Sequence, residues 1–286
     1  MRANQGFALA MTLTACWLSF PRARAEEPQA VKAIYNTFSD EEEMSMGRTA
    51  ALETEKKYPI LQDAALDAYL TRVGEKVAQT SQRPQLRYSF KIVNAPIVNA
   101  FSLPGGFVYV HRGLIDFVQS ESELVGVLAH EVGHIVAYHS MNDVARRWLV
   151  DRLVHEGKKT GMLTDDQMLK TLEEYGGPLL LFVNRKFSRE EENEADLLGI
   201  YNARRAGWDP AGLIAFLHHI GESSATPDLM QLLLRKHPLP QERVGTLRQE
   251  LQQSPAAADL AKDSTLFKLF KARIQSLAPP PELKAE

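Results

Sequence analysis

The chain has 286 residues, 44% of them apolar and 24% charged, which is enough to bury a sizeable core and too balanced for wholesale disorder. A formal net charge of −3 and an isoelectric point near 6.3 give no basic footprint, so nucleic acid is excluded as an expected partner. Cys16 is the only cysteine, which rules out Cys-rich zinc modules and leaves His, Asp and Glu as the available metal ligands.

Residues 1–25 read as a signal peptide. Arg2 supplies the positive start, Phe7 to Phe20 form an apolar stretch, and Ala23-Arg24-Ala25 offers a small-x-small cleavage pattern. Two readings compete with it. Leu13-Thr14-Ala15-Cys16 resembles a bacterial lipobox, which would lipidate Cys16 and tie the chain to a membrane; an uncleaved anchor is the other. All three place the remainder outside the cytoplasm, with the periplasm as the expected location and lipid attachment to the outer membrane as the variant. Residues 26–278 are expected to form one domain with helical flanks, and 279–286 a loose tail.

Ser39 caps a helix predicted from Asp40 to about Lys57, with acids in its first turn, and Pro59 stops it. Residues 61–81 read as a second, amphipathic helix, with Leu61, Ala65, Leu66, Tyr69, Val73 and Val77 at helical spacing. Leu86 to Val93 alternates apolar and polar, Asn94-Ala95-Pro96 breaks it, and the turn Pro104-Gly105-Gly106 precedes the β-rich Phe107-Val108-Tyr109-Val110. These two runs predict a small antiparallel sheet. Ser120-Glu121-Ser122-Glu123 fits a capping box, and the apolar helix it opens is expected to continue to about Arg147 or beyond.

A polar helix over 165–175, a break at Gly176-Gly177-Pro178 and an apolar run from Leu179 to Val183 follow. Ser188 to Ala206 reads as a helix ended by Gly207, and Asp209-Pro210 opens the next. Helices near 228–235, 240–253 and 263–277 complete the domain.

The chemistry centres on His130-Glu131-Val132-Gly133-His134. Two histidines four apart project from one helical face and can share one zinc ion at about 2.1 Å. Glu131 beside them can take a proton from a zinc-activated water, giving a nucleophile without a covalent intermediate. The bland alternative is two ordinary helix histidines beside an unrelated glutamate. It is the weaker reading, because three polar groups in an apolar helix need partners and a metal supplies them.

One zinc per chain still wants a third protein ligand and an open position. Tyr138 and His139 follow the motif and Val144 stands where a third histidine would continue it, so the ligand must come from elsewhere; His139 is expected to point away from the metal. The helix from Ser188 carries Glu190, Glu191, Glu192, Glu194 and Asp196. Glu192 and Asp196 share a face, which suits Glu192 as ligand and Asp196 as the carboxylate orienting a ligand histidine. A solvated acidic first turn is the alternative on spacing alone.

Together these segments resemble the gluzincin peptidases that include the HtpX, Oma and BepA types and the CAAX prenyl-protein proteases. Ser188-Arg189-Glu190-Glu191-Glu192-Asn193-Glu194-Ala195-Asp196 is similar to their downstream motif, and the likeness covers about residues 35–250. It implies a mainly helical, zincin-like α+β domain with its sheet beside the active-site helix, Glu192 as third ligand and Asp196 behind it. Asn99-Ala100-Phe101 and Leu103 to Val110 resemble the group's edge strand, implying that an extended substrate pairs there. His237-Pro238-Leu239-Pro240-Gln241-Glu242-Arg243 resembles the group's H-P-x-x-x-x-R segment. It implies that His237 faces the metal, where it can gate the open position, and that Arg243 anchors it or stabilises the oxyanion.

No transmembrane run follows Phe20 and about 43 residues follow Arg243, so neither the membrane helices nor the repeat domain of some members is expected. The reading that remains is a zinc endopeptidase acting on unfolded or misassembled envelope proteins. Two others stay open: an envelope chaperone or binding module that keeps zinc but rarely cleaves, and a metalloenzyme acting on a non-peptide bond.

Overall fold

The computed structural model describes residues 29–162, 164, 166–167, 186–222, 233–237, 241–254 and 259–281. The leader with Cys16, nearly all of 165–175, Gly176-Gly177-Pro178, Leu179 to Val183, most of 228–235 and the end of the tail lie outside the described residues.

Two capped helices open the fold. In α1 (Asp40–Lys57) Ser39 and Glu42 form a reciprocal capping box, and in α2 (Ala64–Gln79) the Asp63 carboxylate accepts from the amides of Ala65 and Leu66. Leu66, Leu70, Val73 and Val77 turn the apolar face of α2 into the main core.

Three strands follow: β1 (Ser89–Val93), β2 (Ala100–Leu103) and β3 (Phe107–His111), in the order β1-β3-β2. The sheet is mixed rather than antiparallel. β1 and β3, the two runs legible in the sequence, pair in parallel from Ser89↔Phe107 to Val93↔His111, and only β2 pairs antiparallel with β3. Alternation fixes which face of a strand turns inward but not its neighbour. Here the chain leaves β1 for the far edge, runs back as β2, and turns through Pro104–Gly106 into the gap as β3.

That turn requires its glycines. Gly105 has φ 73° and Gly106 φ 99°, and a Cβ on Gly105 would meet the Met44 backbone at 2.7 Å. Glu43 of α1 accepts from the Gly105 amide at 2.9 Å while its carboxylate pairs with buried Arg83 at 2.8 Å. The turn is thereby tied to the N-terminal helix.

After the short α3 (Arg112–Phe117) comes α4 (Glu121–Val136), buried along its whole length, as an apolar sequence without a polar stripe demands. It does not run to Arg147. Tyr138 takes a left-handed conformation (φ 57°, ψ 21°), and α5 (His139–Lys159) starts in a new direction. The Arg83 guanidinium stacks 3.9 Å from the Tyr138 ring and also donates to the Ile135 carbonyl at 3.0 Å, which offsets the backbone strain of that residue.

Among the described residues four more long helices follow: α6 (Arg189–Arg205), α7 (Ala211–Glu222), α8 (Gln241–Gln253) and α9 (Thr265–Ser276). α6 and α7 press closely on α4: Cβ atoms built on Gly133, Gly199 and Gly126 would lie 2.7, 3.1 and 2.6 Å from the Ala195, His130 and Leu213 backbones. No helix among the described residues is long and apolar enough to cross a membrane.

Candidate active site

α4 and α6 bring the site together. Ser188 caps α6 through a capping box with Glu191, so the helix phase leaves Glu192 and Asp196 on the face toward α4, at 0% and 1% exposure. The acidic first turn is thus divided: Glu191 caps, while Glu192 lies buried opposite the two helix histidines.

His130 Nε2 lies 3.1 Å from His134 Nε2 and 3.7 Å from Glu192 Oε2, and His134 Nε2 lies 3.4 Å from Glu192 Oε1. His237 adds its Nδ1, 2.8 Å from Glu192 Oε1 and 3.4 Å from His130 Nε2. All four ligand atoms fall within 4.8 Å of one another. Donors of a tetrahedral zinc with bonds near 2.1 Å are spaced by about 3.4 Å, so this set of three imidazoles and one carboxylate fits zinc in chemistry and in spacing.

The surrounding hydrogen bonds aim these donors. His130 donates Nδ1–H to Asp196 Oδ1 at 2.8 Å, leaving the Nε2 lone pair inward. Arg243 donates from Nε to Asp196 Oδ2 and from Nη2 to Oδ1, both at 2.6 Å, and its Nη1 sits 2.6 Å from Glu192 Oε2. Burial pushes the Asp196 carboxyl up, but Arg243 and His130 outweigh it and hold its pKa below the ordinary value. Burial likewise pushes Glu192 up, and the His237, His134 and His130 imidazoles reverse this to hold it well below. His130 is lowered by burial yet raised overall by Asp196 and Glu192, whereas His134, lowered by burial and by the His130 charge, lies well below the usual histidine value.

Glu131 points toward β2, where Ser102 donates its hydroxyl to Glu131 Oε2 at 2.8 Å. Its other oxygen is 3.7 Å from His237 Nε2, a buried nitrogen with no hydrogen-bond partner. β2 is one of the two outer strands of the sheet, and its Ala100 and Phe101 are buried. Asn99, just before β2, is also fully buried, and neither atom of its side-chain amide has a partner. Beside His130, Glu131, His237 and Arg243 opens a pocket whose apolar wall is Val127, Leu213, Phe216, Leu217 and Leu233.

His130, Glu131, His134, Glu192, Asp196, His237 and Arg243 therefore converge, and Asn99, Ala100 and Phe101 lie in and before the strand that reaches Glu131 through Ser102. His139 is not among the donors that face the candidate metal centre; it backs one of them. The break at Tyr138 swings it back, and its Nδ1 lies 2.8 Å from His134 Nδ1. Sequence reasoning also passed over three residues: Ser102, Phe187, whose ring stacks on His134 at 3.8 Å, and Lys236, which is buried with its ammonium 4.7 Å from the Phe101 ring. The one signal for Ser102 was a lone hydroxyl in an otherwise apolar strand.

Comparison with known proteins agrees with this geometry. The model of peptidase family M48 matches residues 64–251. A beta-barrel assembly-enhancing protease of Yersinia pestis is 27% identical over 81% of this chain and 48% of its own length, and that of Escherichia coli K12 is 26% identical over 92% and 54%. The mitochondrial metalloendopeptidase OMA1 of Schizosaccharomyces pombe is 34% identical over 50% of this chain and 40% of its own. The chain spans about half the length of the curated relatives it matches. A family match over this much of the chain, with the motif residues assembled around one centre, shows that the chain belongs to peptidase family M48.

Proposed function

We propose that this chain is a zinc-dependent endopeptidase with Glu131 as general base, acting on unfolded or misassembled proteins of the cell envelope. The observation that carries the reading is the buried convergence of His130, His134, Glu192 and His237 beside Glu131. Zinc held there would acidify a water and polarise the scissile carbonyl. His130, His134 and Glu192 hold the metal, and Asp196 keeps His130 in the tautomer that can bind.

Glu131 takes the proton of the attacking water and returns it to the leaving amine, while Ser102 fixes one of its oxygens and so the direction of the other. The main chain of β2, at an edge of the sheet, pairs with an extended substrate. The pocket against Val127, Leu213 and Phe216 takes an apolar side chain next to the scissile bond. Arg243 compensates the Glu192 and Asp196 charges.

The envelope as the place of action draws on the leader expected from residues 1–25 and on relatives named beta-barrel assembly-enhancing proteases. A second reading, a zinc-binding chaperone with gated cleavage, is favoured by His237 standing between Glu192 and Glu131, where a substrate carbonyl would enter. Digestion of casein and of an unfolded outer-membrane protein, by the wild-type chain and by Glu131→Gln, tests the proposal. Wild-type cleavage is expected, and its loss in Glu131→Gln with zinc still bound. Equal cleavage by that variant would overturn the general base, and none by the wild type would favour the chaperone.

A further inference from the structure

His139 is 3% exposed and lies beyond the zinc ligands, in contact with one of them. Its Nδ1 is 2.8 Å from His134 Nδ1, and its Nε2 is 3.2 Å from Glu194 Oε2. We propose that His139, backed by Glu194, is the positioning residue that fixes the tautomer and orientation of His134 for metal binding. The inference rests on the zinc-binding reading above and deepens it.

An ionised carboxylate only accepts, so Glu194 places the hydrogen of a neutral His139 ring on Nε2. That leaves a lone pair on His139 Nδ1. Two nitrogens 2.8 Å apart need one hydrogen between them, and His134 must therefore carry it on Nδ1. His134 Nε2 is left as a lone pair, facing His130 Nε2 and Glu192 Oε1 at 3.1 and 3.4 Å. The other tautomer would put a hydrogen on the atom that has to bind the metal.

The orientation is fixed as well as the proton. Phe187 stacks on the face of the His134 ring at 3.8 Å and 20°, while His139 meets it at 67° with ring centres 5.0 Å apart. The left-handed Tyr138 makes this contact available, because it redirects the chain so that the first residue of α5 returns to the last turn of α4. The two ligand histidines are supported unequally. Asp196 behind His130 is 1% exposed and gripped by Arg243, whereas the Glu194 side chain behind His139 is 34% exposed. The His134 arm is the softer one.

The test is zinc affinity of the full chain, read by competition with a chromophoric chelator and without substrate. His139→Ala is expected to weaken zinc binding about 10–100-fold, the range for loss of a group that orients a ligand. Glu194→Ala should weaken it less but in the same direction. His139→Gln, whose amide oxygen can accept from His134, should recover part of the loss. Urea unfolding of the zinc-free proteins separates a merely structural role, which lowers that stability and leaves the affinity alone.

Affinity within about twofold of wild type in folded His139→Ala, well short of the expected loss, overturns the proposal. Should that variant not fold, unchanged affinity in Glu194→Ala, at a partly exposed position, overturns it instead. A wild-type chain that binds no zinc sinks the underlying reading together with this one. Tight wild-type binding with indifferent variants sinks this one alone.

Discussion

Arg243 grips Asp196 by both carboxylate oxygens, each 2.6 Å from a guanidinium nitrogen, with the two side chains 3% and 1% exposed. The pair joins α8 to α6 and stands directly behind His130. Removing one partner of a buried ion pair leaves the other charge uncompensated, so Arg243→Ala is expected to destabilise the zinc-free protein by about 3–5 kcal/mol. Arg243→Lys should restore little of this, because an ammonium cannot make the paired contact. Urea unfolding followed by circular dichroism measures both, and wild-type stability in Arg243→Ala would contradict the role.

His237 stands between Glu192 at 2.8 Å and Glu131 at 3.7 Å. If it gates the site, His237→Ala should keep zinc and raise the rate of casein cleavage. A fall in kcat with unchanged KM would instead place His237 in transition-state stabilisation. Parallel digestion and metal analysis of the variant distinguish the two.

Gly133, inside the metal motif, packs so closely on α6 that a Cβ would come within 2.7 Å of the Ala195 carbonyl oxygen. Gly133→Ala is expected to push α6 away and destabilise the fold by about 1–3 kcal/mol, the range for an overpacked core. Because Ala195 lies between Glu192 and Asp196, zinc affinity should fall with it. Calorimetry with and without zinc checks this, and a smaller zinc-induced rise in melting temperature is the expected sign.

Burial lowers the pKa of His111 to about 4, reinforced by the Lys236 charge and opposed by the bond its Nδ1 donates to the Asn99 carbonyl at 3.0 Å. A depressed histidine binds fewer protons folded than unfolded, so stability is full above about pH 6.5, the unfolded value, and declines as the pH falls toward 4. That interval corresponds to about 3 kcal/mol. Urea unfolding of the zinc-free chain across it should show the decline, and His111→Phe should flatten the slope. An unaltered slope would assign the acid sensitivity to other groups.

Most helix boundaries were legible because caps are local. Ser39, Ser120 and Ser188 each accept from an amide three residues ahead, and the structure starts a helix after every one, whereas the helix expected from residue 61 starts only at Ala64, behind the Asp63 cap. The stop of α4 was not legible. Nothing between His134 and Arg147 is a glycine or proline, and the left-handed Tyr138 is held by Arg83, more than 50 residues earlier in the chain. The contact of His139 with the far side of His134 depends on that break and was not legible either.

The choice of Glu192 among four neighbouring glutamates was half legible. Spacing put it on one face with Asp196, but only packing of α6 against α4 turned that face inward. The parallel pairing of β1 and β3 and the bond from Ser102 to Glu131 were beyond the sequence altogether, because both depend on which segments meet.

His130-Glu131-Val132-Gly133-His134 and the acidic helix behind Ser188 were determined by the sequence alone, since a helix fixes the relative direction of residues four apart wherever it lies. Tertiary structure decided how the site is completed. His237, Arg243, Ser102, His139 and Phe187 reach it from separate segments that the fold brings together. Local periodicity carries no record of such contacts, because they exist only once distant parts of the chain share a low-dielectric interior.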